Sequence, residues 1–439
     1  MFDILGNRTY RQLFLAQLFS LLGSGLATVA LGLLAYQLAG DEAGLVLGTA
    51  LAIKMLAYVL IAPLATALAE RAPRGRVLVM LDLLRVGVAL MLPLVTQVWQ
   101  VYLLIFLLQA ASAAFTPLFQ ATIPEVLPDE QAYTRALSLS RLAYDLESVA
   151  SPLLAAALLS LVAFHDLFAG TALGFLASAA LVLSSRLPVA CARAEGGLYS
   201  RTTRGLRIYL ATPRLRGLLA LNLAIAAAGS MVIVNTVVLV QARLGLSERA
   251  SALALALFGA GSMIAALSLP RLLERLPERG VMLAGAALLA ICLLAGLVLP
   301  LSYGLLLAWW LLIGAGYCAV QTPTGRVLRR SAQAADLPLL FAAQFALSHA
   351  CWLVTYPLAG WLGARFGLAA AFGALGVIAT LALLAAARLW PARDPRVLEH
   401  VHVGLDDHPH VAGAIRCEQG LRHSHDYVID SRHPAWPRW

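Results

Sequence analysis

Lysine is almost missing from this chain: Lys54 is the only one, so the net charge of +9 rests on arginine. Charge of either sign is scarce, at 13% of 439 residues, while 61% are hydrophobic and the mean hydropathy is +0.81. A soluble enzyme of this length needs a charged surface, so that class is excluded. The five cysteines, Cys191, Cys292, Cys318, Cys351 and Cys417, show no C-x-x-C spacing, which argues against a disulfide framework and for reduced thiols. There is no glycine-rich phosphate loop, which argues against ATP-driven work. The first residues lack a basic segment followed by a short apolar run and a small-residue cleavage site, so the first hydrophobic segment is expected to remain as a helix. In a soluble protein a charge of +9 would suggest nucleic acid. In a membrane protein it marks loops that face the cytoplasm, and no nucleic-acid partner is expected.

What the chain has is apolar length. A bilayer core about 30 Å thick needs roughly 20 apolar residues per helix. Runs bounded by Gly, Pro or charge give twelve spans, near 12–37, 44–69, 77–97, 100–124, 138–163, 167–187, 217–241, 249–270, 280–300, 303–325, 338–362 and 367–390. With the N-terminus inside, Arg8, Arg11, Arg71, Arg74, Arg76, Arg135, the cluster from Arg186 to Arg216, Arg271, Arg275, Arg279, Arg326, Arg329 and Arg330 fall on cytoplasmic ends. Only Arg243, Arg249 and Arg365 lie outside, and an even helix count returns the C-terminus to the cytoplasm. The expected location is a bacterial inner (plasma) membrane, multi-pass, with both termini cytoplasmic. The longest internal connection, 188–215, is rich in arginine and reads as a linker between an N-terminal bundle (1–187) and a C-terminal bundle (216–392), with a tail over 393–439.

The halves repeat. Ala69-Glu70-Arg71-Ala72-Pro73 matches Leu273-Glu274-Arg275-Leu276-Pro277 at an offset of 204, and Arg11 with Gln17 matches Arg216 with Asn222 at 205. Parallel six-helix repeats are the plan of one large transporter class. The stretch Pro63 to Arg76, with its Glu70-Arg71 pair ahead of Arg74 and Arg76, resembles the cytoplasmic loop signature of the major facilitator superfamily. The family's usual Gly near Ala65 is absent, and Pro73 replaces its later Gly. The resemblance covers roughly residues 8–392 and implies an all-α membrane protein, twelve transmembrane helices in two pseudo-symmetric six-helix bundles, that is a carrier and not an enzyme. It also implies that the second, fifth, eighth and eleventh helices meet where the halves face each other.

Charge inside an apolar span costs about 2.5–3.5 kcal/mol on insertion scales and by default marks a pathway or a paired site. Lys54 lies about ten residues into the second span, beyond easy snorkelling reach. In the fifth span Arg141 and Asp145 share a face at i, i+4 and can neutralise each other, which leaves Glu147 as the better candidate for titration. In the eleventh span Gln344, His349 and Cys351 interrupt an apolar helix. These residues form the candidate transport and coupling set. Glu70, Arg71, Arg74 and Arg76, with Asp82, Arg85, Glu274 and Arg275, form a candidate latch holding one conformation through charge-assisted bonds; plain positive-inside topology is the alternative. Ser151 to Ala156 resembles the superfamily's antiporter motif, but Glu147 stands where that motif has Gly. Phe106 stands where its arginine would be, which counts against the drug-antiporter proton relay.

Seven of the nine histidines follow residue 395, among them the His-x-His pairs His400/His402, His408/His410 and His423/His425, with His433 beyond. Imidazole beside carboxylate suits Ni, Co, Zn or Cu, and irregular spacing suggests loose sequestration. The tail resembles the His-rich ends of nickel and cobalt exporters of the superfamily. As a random coil its 47 residues would span roughly 35–40 Å. The expectation is a monomeric secondary carrier working by alternating access, with no required cofactor. Efflux of a divalent metal or its chelate is the first reading; export of an amphipathic organic compound, such as a drug or siderophore, and a non-transporting membrane sensor are the alternatives.

Overall fold

The computed structural model describes residues 2–69, 74–185, 187, 198–298, 302–333, 336–394, 397–402, 415–417, 420–429, 433 and 436. Side chains at 62–69 and at several positions in the fourth and fifth long helices and the strands, including Arg141, Asp145, His400, His402 and His423, lie outside that description.

Six long helices make the N-terminal half: α1 (Arg8–Ala39), α2 (Ala43–Ala69), α3 (Arg74–Met91), α4 (Val98–Val126), α5 (Glu130–Leu158) and α6 (Asp166–Ser184). A connecting helix α7 (Leu198–Ala211) follows. Six more build the C-terminal half: α8 (Pro213–Val237), α9 (Glu248–Arg275), α10 (Glu278–Ala295), α11 (Tyr303–Gln321), α13 (Leu337–Phe366) and α14 (Leu368–Leu389), with a short α12 (Thr324–Arg329) between the last two pairs. The twelve long helices fall on the twelve expected spans. Ten described stretches, the first joining α1 to α2, are long and apolar enough to cross a membrane. Helix α5 carries Arg135, Arg141, Asp145 and Glu147 along an otherwise largely apolar sequence.

Local signals set the helix starts. Asn7 caps α1 by accepting from the Tyr10 N–H at 3.1 Å, and Asp129 caps α5 from Ala132 at 2.8 Å. Pro213 opens α8, where a missing N–H has no consequence. The end of the bundle where α1 begins is called here the near end, and the opposite one the far end.

Two seams join the halves: α2 packs on α13, and α5 on α9. Counted as spans, these are the second with the eleventh and the fifth with the eighth, the pairing the family resemblance implied. The α2–α13 seam is built on glycine. A Cβ on Gly48 would sit 2.5 Å from the Tyr356 carbonyl oxygen, and one on Gly360 would sit 2.1 Å from that of Gly44. Only backbones without side chains approach so closely, and such small-residue seams drive helix association where no hydrophobic force acts between helices. At the far end of the other seam Arg249 donates to the Leu159 oxygen at 2.8 Å and the Ser160 oxygen at 3.0 Å.

The linker carries structure of its own, and one expectation, that of the tail, is corrected. The connection over 188–215 contains α7, whose Gly205 lies against the Leu339 backbone and whose Arg204 pairs with Asp336 at 2.8 Å. The tail is not a random coil where it is described. Strands β1 (Val397–His402), β2 (Ile415–Cys417) and β3 (Gly420–Asp426) form an antiparallel sheet of order β1-β3-β2, and Leu398, Tyr427 and Ile429 are buried in the same core as the helices. On β1, Leu398 is buried against the bundle while its neighbours Val397 and Glu399 are exposed, whereas a solvated coil would leave all three exposed.

Candidate transport site

Lys54 sits in the middle of α2, half-buried in the wall of a narrow cavity inside the N-terminal half. Its lining includes Ser24 and Thr28 of α1, Leu51 and Tyr58 of α2, Gln109 and Ser112 of α4 and Phe175 of α6. The ammonium makes no hydrogen bond or ion pair among the described residues. Its charged neighbour on α5 is Glu147, within electrostatic reach, and His349 lies within the same reach on α13. Glu147 packs against Gly25 of α1, where a Cβ would meet its Oε1 at 2.4 Å, and Ser151 donates to that oxygen at 3.5 Å. Gly25 therefore makes the room that admits a carboxylate between α1 and α5.

One turn toward the near end, Tyr58 crosses the α2–α13 seam. Its ring lies 5.5 Å from that of His349 and 5.9 Å from that of Phe345. His349 is itself held by Nδ1 at 2.7 Å from the Phe345 carbonyl oxygen. The i, i+4 spacings of Lys54 with Tyr58 and of Phe345 with His349 put each pair on one helix face, so charge and aromatic contact are stacked along one seam.

The structure thus brings Lys54, Glu147 and His349 together. Gln344 faces elsewhere, accepting from the Tyr209 hydroxyl of α7, and the Cys351 thiol is free and half-buried. Arg141 and Asp145 lie on α5, with their side chains outside the described set.

The latch residues part company. Glu70 and Arg71 lie outside the described residues, Arg74 is half-buried at the start of α3 and Arg76 is exposed. Asp82 and Arg85 pair with each other deep inside the N-terminal half. Arg85 donates to Ser20 of α1 at 3.1 Å and lies between the rings of Phe115 and Phe175, at 4.2 and 4.5 Å. Asp82 accepts from Ser178 of α6 at 2.8 Å. All these partners belong to one half, so this pair does not bridge the two, contrary to the latch expectation. Glu274 and Arg275 are exposed at the end of α9 and form no ion pair among the described residues. The acid that pairs at that corner is Glu278, with Arg326 at 3.2 Å and Arg330 at 3.8 Å. Arg330 also reaches Asp394 at 2.6 Å, and Asp394 lies 3.7 Å from the buried Arg214. Sequence reasoning missed this node because Glu278, which opens α10, lies four residues past Glu274 and just outside the repeat.

Of the tail histidines, His408 and His410 lie outside the described residues. His400 stands opposite His423 in the β1–β3 register. The rings of His425 and His433 are 5.0 Å apart, and Trp436 covers Arg214 at 4.9 Å. No group of three or more metal-ligating side chains occurs among the described residues.

Two six-helix halves joined along paired seams, with ionisable groups inside the apolar layer, define a polytopic membrane carrier. The Major Facilitator Superfamily profile matches residues 13–204 and 219–414, and the chain belongs to that family. Its fold is that of solved transporters. A bacterial homolog to human lysosomal transporter Spinster, in an inward-facing and unoccupied conformation, is 14% identical, with a TM-score of 0.67, covering 87% of this chain and 97% of that one. The nucleoside transporter NupG is 14% identical with a TM-score of 0.66, covering 88% and 100%. A D-xylose-proton symporter is 15% identical with a TM-score of 0.66, covering 87% and 98%. No curated protein sequence matches the chain.

Proposed function

We infer that the protein is a secondary carrier that moves a small organic solute by alternating access, through a path that passes Lys54. The observation that carries this reading is the placement of a cation, without a hydrogen-bonding partner among the described residues, in a cavity wall of hydroxyls, one amide and apolar side chains, next to the seam between the halves. Such a wall suits an amphipathic organic compound, the second of the two substrate classes read from the sequence. A bare divalent metal suits it poorly, since Lys54 repels cations and the cavity presents no set of imidazoles, thiols and carboxylates. The relatives support the same reading, because proteins of this fold include nucleoside and sugar transporters by name.

The glycine seam and the Arg249 contacts close the far end, while the contacts of Tyr58 with Phe345 and His349 toward the near end are aromatic. Rocking the halves would part those rings and then the glycine seam. The arginine-rich near end fits the cytoplasm. Metal handling by the tail is a second reading, favoured by the His400–His423 register and the proximity of His425 to His433. These readings separate in cells expressing the wild type or Lys54→Gln, with intracellular Ni, Co, Zn and Cu and the pool of small organic solutes measured together. The organic reading expects solute levels to differ between the two while metal levels agree. A metal difference without a solute difference would overturn it, and no difference in either would favour a non-transporting sensor.

A further inference from the structure

The charge on Lys54 bears on substrate class. Among the described residues the Lys54 ammonium has no salt bridge, and an ammonium so placed in the apolar layer attracts an anion, with charge-assisted bonds stronger there than in water. The acid within reach, Glu147, is tied down against Gly25 and Ser151 on α5 and forms no contact pair with Lys54. The cavity around Lys54 then changes character over a short distance. Ser24, Thr28, Gln109 and Ser112 offer hydrogen bonds, while Leu51 and Phe175 offer apolar surface. A ligand that satisfies both has a carboxylate at one end and an apolar body at the other.

We propose that Lys54 is the anion-binding residue of this carrier, that its substrates are organic carboxylates with an apolar body, and that a proton on Glu147 promotes their binding. While Glu147 is ionised it partly satisfies the field of Lys54. When it takes a proton, the Lys54 charge is left for the substrate carboxylate, so proton and anion bind cooperatively and travel in the same direction. No bond between heavy atoms changes: one proton from the bathing water forms an O–H bond on a Glu147 carboxylate oxygen, and the substrate carboxylate takes that carboxylate's place as the counter-charge of Lys54. Other groups face this arrangement. His349 on α13 would act in the same sense on protonation, while Tyr58 on α2, Tyr144 on α5 and Arg85 on α3 couple to one another around Tyr58. The inference deepens the carrier reading and rests on it. It is tested by binding without flux, so that its failure leaves the transport reading standing.

The test uses the purified full chain in detergent and two probes with the same apolar body and opposite charge, 4-phenylbutyrate and 4-phenylbutylamine. Thermal unfolding is followed against probe concentration and pH, since a ligand that binds the folded state raises Tm by mass action. The acid is expected to stabilise the wild type, more strongly as pH falls, and the amine is not. Lys54→Gln should weaken the acid's effect roughly tenfold or more in concentration, the loss expected for a charge-assisted bond, while Lys54→Arg retains it. Glu147→Gln should bind the acid with a flattened pH dependence, whereas His349→Gln should keep the larger part of that dependence. Stabilisation by the amine, by both probes equally or by neither would overturn the proposal, as would an acid response unchanged in Lys54→Gln. If Lys54→Gln does not fold, the Glu147→Gln pH profile decides alone, and a profile like the wild type's would count against it.

Discussion

The two halves share a plan but not a chemistry. In the N-terminal half, ionisable residues lie in the middle of the apolar layer: Lys54 on α2, Asp82 and Arg85 on α3, and Arg141, Asp145 and Glu147 on α5. In the C-terminal half the Asp, Glu and Arg side chains sit at helix ends, and the charged node of Glu278, Arg330, Asp394 and Arg214 gathers at the near end. Its middle is neutral and closely packed. Ser230 and Thr355 share a hydrogen bond of 2.7 Å, and Trp310 donates to Thr236 at 2.8 Å. On the proposed reading, one half carries the groups that answer a substrate or a proton, and the other supplies the packed surface against which it rocks.

The sharpest way to break that contrast is at the buried pair. Asp82→Asn alone leaves Arg85 uncompensated and should destabilise the protein by about 3–5 kcal/mol, whereas Asp82→Asn with Arg85→Gln should recover most of the loss. Thermal unfolding of the single and double variants checks this, and equal losses would show that the pair's charge is not what matters. Next in size is the glycine seam. Gly48→Val forces a Cβ toward the Tyr356 carbonyl oxygen and should cost about 1–3 kcal/mol of the far-end-closed state. Thiol labelling of far-end cysteines introduced into a Cys-free background should rise in this variant. In the C-terminal half, Thr355→Val removes two neutral hydrogen bonds, the one shared with Ser230 and the one donated to the Ala226 oxygen at 3.1 Å, and strands Ser230, a loss of about 1–3 kcal/mol in stability with solute selectivity unchanged. The smallest effect belongs to the Arg204–Asp336 pair, where the arginine is 57% exposed; Arg204→Gln should change stability by less than about 1 kcal/mol.

The helices were readable because a bilayer demands long apolar runs, and Lys54 and Glu147 stood out because charge is rare inside them. What could not be read was where such charges point. Asp82 and Arg85 look like latch residues by their place after the loop signature, yet their helix face turns them toward Ser20, Phe115, Phe175 and Ser178 inside one half. The seam was hidden for another reason. With 34 glycines in the chain, only the through-space approach of α2 to α13 distinguishes Gly48 and Gly360 from the rest. Glu278 was passed over for Glu274 because a repeat match rewards sequence identity, while ion pairing depends on which residue opens α10 facing Arg326 and Arg330. The tail misled through composition, since a His-rich, polar stretch reads as solvated, whereas Leu398 on β1 and Tyr427 and Ile429 just beyond β3 are buried in the core of the helices.

The most direct test of this division of labour is solute exchange across inside-out membrane vesicles bearing the wild type, Lys54→Gln, Lys54→Arg or Thr355→Val, with the full small-solute pool read by mass spectrometry. The account predicts that a set of solutes moved by the wild type is lost in Lys54→Gln and kept in Lys54→Arg and Thr355→Val. Unchanged exchange in Lys54→Gln, with loss in Thr355→Val, would place the chemistry in the other half and contradict it.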